Sequence, residues 1–180
     1  MALNNTPDSF GLITRALHWG MALLVLGMLA LGLRLSDMQP GLTNLWLYGL
    51  HKTLGLTLLT LIVLRFGWHI VSPTPRPIGP PGLARLAARA GHWLFYALLV
   101  AIPLTGWAGS SATGIDVMFA DRWIIPPIAE VSEAGEAFWF RLHDILTKLL
   151  IGLIVIHILA ALKRERAGDH TLTRMLRGRI

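Results

Sequence analysis

Seven histidines are the residues of this 180-residue chain whose type and spacing could do chemistry. Six of them lie within or at the ends of long apolar segments, where an ionisable side chain is costly and is usually retained for a function. His143 and His157 are 14 residues apart. On an α-helix this spacing returns to within about 40° of the same face and separates the two by roughly 21 Å along the axis. One helix face is therefore predicted to present two imidazoles at two depths.

Imidazole nitrogens at these positions could hold a redox metal. The chain has no cysteine, which excludes a disulfide framework, thiolate metal sites, iron–sulfur clusters and haem attached through a C-x-x-C-H motif. His143 has a partner at matching depth in His51, and His157 has one in His18. Opposed imidazoles from two helices of an apolar bundle suit six-coordinate haem b, whose iron takes axial histidines. The pattern therefore predicts two haem b groups, with His18, His51, His143 and His157 as metal ligands.

The inner pair of this scheme has rivals. His51 and His69 are 18 residues apart, which is five helical turns, so His69 also shares a face with His51. His69 could replace His18 or pair with His92. His18 is preferred because His69 lies beside Trp68 and just before a proline-rich loop, where an interfacial position is expected. The partner of His157 stays open among these residues.

Basic and small residues near the outer end fit the same hypothesis. Lys52, Arg141 and Lys148 could bind the anionic propionates of haem, although ordinary snorkelling explains them equally well. Gly55 follows His51 by one turn and would let a macrocycle approach the backbone.

Four apolar segments must position these residues. A helix needs about 17 to 25 residues to cross a bilayer core of roughly 30 Å, and each segment is long enough. The chain is 54% hydrophobic and only 14% charged, which is typical of an integral membrane protein. We predict an all-α fold, a single membrane domain over residues 1–180 that forms a four-helix bundle. The predicted spans are residues 16–34, 45–71, 91–110 and 140–162.

Charge predicts the orientation of the bundle. The side with both termini and the middle loop holds eleven basic and three acidic residues, and the opposite side holds five basic and seven acidic residues. Because basic residues accumulate on the cytoplasmic side, both termini are predicted to be cytoplasmic. The net charge of +6 could suggest nucleic acid, but the basic residues flank apolar segments. A lipid bilayer is therefore the expected partner, and nucleic acid is not.

Short motifs follow one another in a fixed order over nearly the whole chain. They are His18-Trp19, residues 51–55, residues 72–75, residues 92–96, residues 103–107, His143, His157, residues 160–162 and residues 171–175. In type, order and spacing they resemble the bacterial cytochrome b561 family, which are small four-span membrane proteins with two haem b groups. The resemblance implies a multi-pass protein of the bacterial inner membrane that transfers electrons.

The resemblance also implies roles for individual residues. The matching family motifs make His18, His51, His143 and His157 the haem ligands and associate His92 with quinone on the inner side. One member of the family passes electrons from superoxide to ubiquinone. The resemblance therefore implies the same oxidoreductase activity here.

In such a reaction, the catalytic role expected of Lys52 and Arg141 is to draw the superoxide anion towards the outer haem.

Two points stay open. Relatives commonly carry a His-His pair after the last ligand, where this chain has Lys163-Arg164-Glu165-Arg166. If that pair helps to hold quinone or to move its protons, the inner site is altered here. The alternative function is a haem b membrane subunit of a dehydrogenase or hydrogenase-like complex that relays electrons from a periplasmic partner to quinone. A metal or proton transporter is disfavoured because the middle of each apolar segment lacks Asp and Glu.

Overall fold

The computed structural model describes residues 2–78 and 82–178, which form long helices with one short hairpin between the third and the fourth. Four helices are long and apolar enough to cross a membrane. The prediction of a four-helix membrane bundle is therefore confirmed. The end of the bundle that holds both termini is called inner below, after the charge-based prediction, and the opposite end outer. The elements are α1 (Leu12–Ser36), α2 (Leu45–Val71), α3 (Leu83–Ala112), β1 (Val117–Phe119), β2 (Trp123–Ile125), α4 (Glu133–Arg166) and α5 (Thr171–Arg177).

Three helices begin earlier than the predicted spans, α1 by four residues and α3 and α4 by about two turns each. α3 starts at Leu83 because residues 83–90 are all Ala, Leu or Arg, which are strong helix formers. α4 starts at Glu133 because the Ser132 side chain caps it by accepting a hydrogen bond from the backbone N–H of Gly135 at 3.2 Å. Acidic residues in the first turn of α4 also suit the positive end of the helix dipole.

The helices pack as two close pairs. α1 runs along α2, and α3 runs along α4, while α2 borders α3. Among the described residues, the backbone of α4 makes little or no close contact with α1 or α2. The gap between these backbones, which apolar side chains fill at mid-depth, is called the slot below. Large apolar side chains such as Leu23 and Ile156 point outwards and are more than half exposed, as expected for faces that meet lipid. The buried cluster consists of Met21, Val25, Leu58, Ile62, Leu98 and Leu150.

The outer end of the bundle carries a β-hairpin that the all-α prediction omitted. β1 pairs with β2 in antiparallel fashion, and the turn between them places Ala120 and Asp121 at φ 52°. Both residues thus adopt the left-handed conformation that favours glycine. The backbone N–H of Ala120 donates to the hydroxyl of Thr53 at 3.0 Å. The hairpin therefore lies across the outer end of α2, where it contacts the residue that follows Lys52.

The inner end is fastened by Arg174 of α5, which is only 6% exposed. Its guanidinium donates to the backbone carbonyls of Asp8 at 3.0 Å and Arg76 at 3.4 Å, and it lies over the ring of Phe10. These contacts join the N-terminal segment, the loop after α2 and the C-terminal helix. The inner ends of the membrane helices are thereby tied to one another.

Candidate functional site

Two histidines face each other in the outer half of the bundle. The ring centroids of His51 on α2 and His143 on α4 are 6.3 Å apart, and the rings are inclined by 73°. Nδ1 of His143 lies 2.8 Å from the backbone carbonyl oxygen of Ile102. Because a carbonyl only accepts, Nδ1 carries the proton and donates it, which leaves the lone pair of Nε2 available for a metal. Nδ1 of His51 is buried and has no hydrogen-bond partner in the described part of the chain.

Glycine lets both rings lie directly against a neighbouring helix. A Cβ atom on Gly106 of α3 would lie 3.1 Å from two atoms of the His143 ring, and one on Gly32 of α1 would lie 3.3 Å from the His51 ring. These distances are shorter than ordinary van der Waals contact. Gly55, which the sequence suggested for this role, faces Met28 of α1 at an ordinary 3.7 Å. The close approach is thus made at Gly32 and Gly106.

The inner half brings three histidines and one arginine together. The ring centroids of His18 and His157 are 6.3 Å apart, and those of His92 and His157 are 6.2 Å apart. Arg65 places a guanidinium nitrogen 3.4 Å from Nδ1 of His18. His69 makes no ring contact with the other three histidines in the described structure.

One spacing builds both halves of the site. Each membrane helix contributes two residues that are 14 positions apart in the sequence. On a helix this spacing turns the second residue about 40° away from the face of the first and moves it roughly 21 Å along the axis. We call the two groups the outer layer and the inner layer. The outer layer consists of Gly32, His51, Gly106 and His143, and the inner layer consists of His18, Arg65, His92 and His157.

An apolar region separates the two layers. Val25, Leu58 and Leu150 each lie seven residues from both layers on their own helices, and each is at most 7% exposed. Side chains of this kind exclude water and strengthen electrostatic effects on either side. The site therefore consists of two polar levels within one apolar bundle.

The geometry of two imidazole pairs fits axial ligands of a planar metal group. Two imidazole nitrogens bound to one metal at about 2.0 Å each put the ring centroids roughly 6 Å apart. The His51–His143 and His18–His157 pairs, both at 6.3 Å, also cross the slot between α4 and the α1–α2 pair. The His92–His157 pair instead joins α3 to α4, which pack closely along their length. The slot favours His18 over His92 as the partner of His157.

A metal ion held by the protein alone fits less well. Within residues 2–78 and 82–178, no group of three or more His, Cys, Asp or Glu side chains is arranged to hold a metal ion. Each facing pair of histidines supplies two ligands. A metal bound in a macrocycle leaves two coordination positions for protein ligands, so the pairs suit such a centre.

The outer basic residues occupy different surroundings. Lys52 is half-buried beside His51, and Arg141 is exposed two residues before His143. Neither takes part in an ion pair with any described residue. Lys148 instead forms an ion pair with Asp144 at 2.7 Å on an exposed face of α4, so it already has an anionic partner.

Residues 163–166, which follow the last predicted ligand, fasten the tail of this chain. Arg164 donates to the carboxylate of Asp169 at 2.8 Å. The carboxylate of Glu165 accepts from the backbone N–H of Leu172 at 2.8 Å and from the hydroxyl of Thr173 at 2.6 Å. These residues therefore hold the start of α5 and are occupied within the protein.

Facing imidazole pairs at two depths of a four-span apolar bundle define a membrane protein of the haem-binding, electron-transferring class. Residues 9–178 match the family model described as prokaryotic cytochrome b561, and the chain belongs to this family. It is therefore a multi-pass protein of the bacterial inner membrane that binds haem b and takes part in electron transfer.

Two relatives resemble it over most of their length. The chain is 36% identical to "Cytochrome b561 homolog 2" of Escherichia coli (strain K12) over 181 residues, which cover 98% of this chain and 95% of that protein. It is 31% identical to "Probable superoxide oxidase CybB" of Yersinia pestis over 169 residues, which cover 89% and 91% respectively.

Proposed function

We propose that the chain passes electrons, one at a time, from superoxide at its outer end to ubiquinone at its inner end. The observation that carries the proposal is the facing imidazole pair in each layer. His51 and His143 would bind one haem b, and His18 and His157 would bind a second. When bound, haem b supplies an iron that takes up and releases one electron. The protein sets the depth, the ligand orientation and the charge around each position.

The outer end offers positive charge to an anion. Lys52 lies next to His51 and is half-buried, and Arg141 is exposed near His143, so both would attract superoxide. Each superoxide loses one electron and leaves as dioxygen. Two such events, with two protons taken up, convert one ubiquinone to ubiquinol. The name of the Yersinia pestis relative, a probable superoxide oxidase, supports this donor.

The inner end offers a proton donor and an apolar surface. His92 is left over when His18 and His157 act as ligands, and its ring remains 6.2 Å from that of His157. Its imidazole could donate a hydrogen bond to a quinone carbonyl and deliver a proton. A groove of about 320 Å³ between α1 and α2 would suit the apolar tail of the quinone; it is lined by Ile13, Ala16, Leu17, Gly20, Met21 and Leu61.

The alternative is that the chain is the haem b membrane subunit of a dehydrogenase or hydrogenase-like complex. It would then relay electrons from a periplasmic partner to quinone. The observation that favours this function is the outer hairpin, where Trp123 is 57% exposed and Ile124 is 61% exposed. Exposed apolar residues outside the helices could contact a second protein.

One assay distinguishes the two functions. The full chain, purified by itself in lipid nanodiscs, is given a ubiquinone analogue and an enzymatic source of superoxide. We expect one quinol per two superoxide ions, no reaction when superoxide dismutase is added, and no reaction with the His51→Ala variant. A preparation that contains haem in both layers but reduces quinone only with a co-purifying polypeptide would reject superoxide as the donor.

A further inference from the structure

Arg65 places a positive charge inside a membrane-spanning helix. It lies 14 residues after His51 on α2, in the same relation as His157 to His143 on α4. Where α4 supplies an imidazole to the inner layer, α2 therefore supplies a half-buried guanidinium. A charged side chain within the bilayer is costly and is retained where it has a partner or a function.

The described polypeptide supplies no anionic partner for Arg65. None of the ion pairs among residues 2–78 and 82–178 involves it. α1, α2 and α3 contain no Asp or Glu at all. On α4, the carboxylate that follows His157 is Glu165, which is occupied by α5. A carboxylate that pairs with Arg65 must therefore come from outside the described residues.

The contact between Arg65 and His18 is incompatible with iron binding through Nε2. A guanidinium has only donors, so Nδ1 of His18 accepts in the 3.4 Å contact. An imidazole that binds metal through Nε2 carries its proton on Nδ1, which is then a donor. Two donors cannot bond to each other. When His18 binds iron in this way, the guanidinium must turn to another acceptor.

We infer that this acceptor is a propionate carboxylate of the haem held by the inner layer, and that Arg65 raises the reduction potential of that haem. This inference rests on the proposed inner haem. Guanidinium and carboxylate form paired, charge-assisted hydrogen bonds, and the propionates are the anionic groups that haem b brings. A nearby positive charge favours the reduced state because reduction adds an electron. In each layer the α1–α2 pair supplies one histidine and one other residue. In the inner layer that other residue is Arg65, and in the outer layer it is Gly32, which has no charge.

The test compares Arg65→Gln and Arg65→Lys with the wild-type chain. Arg34→Gln, which removes an exposed arginine at the outer end of α1, is the matched control. The full chain in nanodiscs is titrated spectroelectrochemically, and haem is counted as the pyridine haemochrome. In Arg65→Gln we expect the inner haem to bind its electron about tenfold more weakly, a fall of about 59 mV. The outer haem should shift much less, Arg65→Lys should recover most of the change, and Arg34→Gln should leave both potentials in place.

Other outcomes are equally decisive. Loss of the inner haem in Arg65→Gln but not in Arg65→Lys would also support the inference, because the positive charge would then be shown to retain the haem. Unchanged potentials, equal shifts of both haems, or the same haem loss in both variants would overturn it. Unchanged potentials with a raised quinone KM would assign Arg65 to the quinone instead. A wild-type chain without an inner haem would reject the proposed function itself, which is a separate result.

Discussion

The outer and inner layers use the same four helices and the same 14-residue spacing, yet they are built from different chemistry. The outer layer sets two imidazoles against two glycines, and one of these imidazoles donates to a backbone carbonyl. The inner layer contains three imidazoles in ring contact and a guanidinium that contacts one of them. Steric fit therefore defines the outer layer, whereas charge and titratable groups define the inner one.

The proposed reaction gives this difference a reason. Oxidation of superoxide to dioxygen moves one electron and needs no proton, so a tightly fitted ligand pair is sufficient at the outer end. Reduction of a quinone to a quinol takes up two protons as well as two electrons. A layer with a third imidazole, His92, has a group available for that proton transfer.

Removing a ligand gives the largest expected effect on either layer. We expect His143→Ala and His51→Ala each to lose the outer haem, and His157→Ala and His18→Ala each to lose the inner one, because the partner imidazole alone leaves the iron without one axial ligand. Each variant should still insert into the membrane. The measurement is the pyridine haemochrome count per chain, which should fall by one. Variants that keep both haems would reject the ligand assignment.

Filling the space beside a ligand should have the next largest effect, and only on the outer layer. In Gly106→Val the new side chain would push against the His143 ring, which a Cβ alone would approach to 3.1 Å. Overpacking of this kind costs about 1–3 kcal/mol, or roughly 5- to 150-fold in outer-haem affinity. Haem titration of the apoprotein measures this change. Gly91→Val on the same helix is the control, since nothing lies within 4 Å of a Cβ there; equal losses in the two variants would contradict the close fit.

The third imidazole of the inner layer should affect the reaction and leave the haems in place. We expect His92→Ala to retain two haems and to reduce quinone about 100-fold more slowly, at the low end for loss of a general acid. His69→Ala should change neither haem content nor rate, because His69 has no ring contact with the other inner histidines described above. Haem count and quinone reduction are measured on the same samples. Loss of a haem in His92→Ala would show that His92, and not His18, is the partner of His157.

The hydrogen bond behind His143 should give the smallest effect. The hydroxyl of Thr105 donates to the Ile102 carbonyl at 2.9 Å, and its oxygen lies 3.3 Å from Nδ1 of His143, which donates to the same carbonyl at 2.8 Å. Thr105→Val therefore removes a competing donor at the carbonyl and also the longer of the two contacts of Nδ1. Because the carbonyl is the closer acceptor, we expect its stronger bond to Nδ1 to outweigh the lost hydroxyl, which makes the ligand more basic and favours oxidised iron. We expect the outer potential to fall by less than about 59 mV, a factor of ten. Redox titration checks this, and a rise in the outer potential would contradict it.

The sequence predicted the parts of this molecule that depend on hydrophobicity and on histidine depth. Four apolar segments indicated the membrane bundle, and the 14-residue spacing of His143 and His157 indicated two levels. The hairpin at residues 117–125 was missed because its strands are only three residues long, and their pairing depends on contact with α2.

Gly32, Gly106 and Arg65 were missed for a different reason. A glycine in a membrane helix is common, and its close approach to a ring is visible only when two helices are placed together. Arg65 was taken as an ordinary basic residue near a helix end. The signal in the sequence was the repeat itself, since each of these residues lies 14 positions from a histidine on its own helix.

A count of haem per chain in the purified wild-type protein tests the central claim most directly. Two facing imidazole pairs, one in each layer, predict two haem b groups per polypeptide by the pyridine haemochrome method, with two separate steps in a redox titration. A fully loaded preparation with one haem per chain, or a colourless one from cells supplied with iron and porphyrin, would contradict the account.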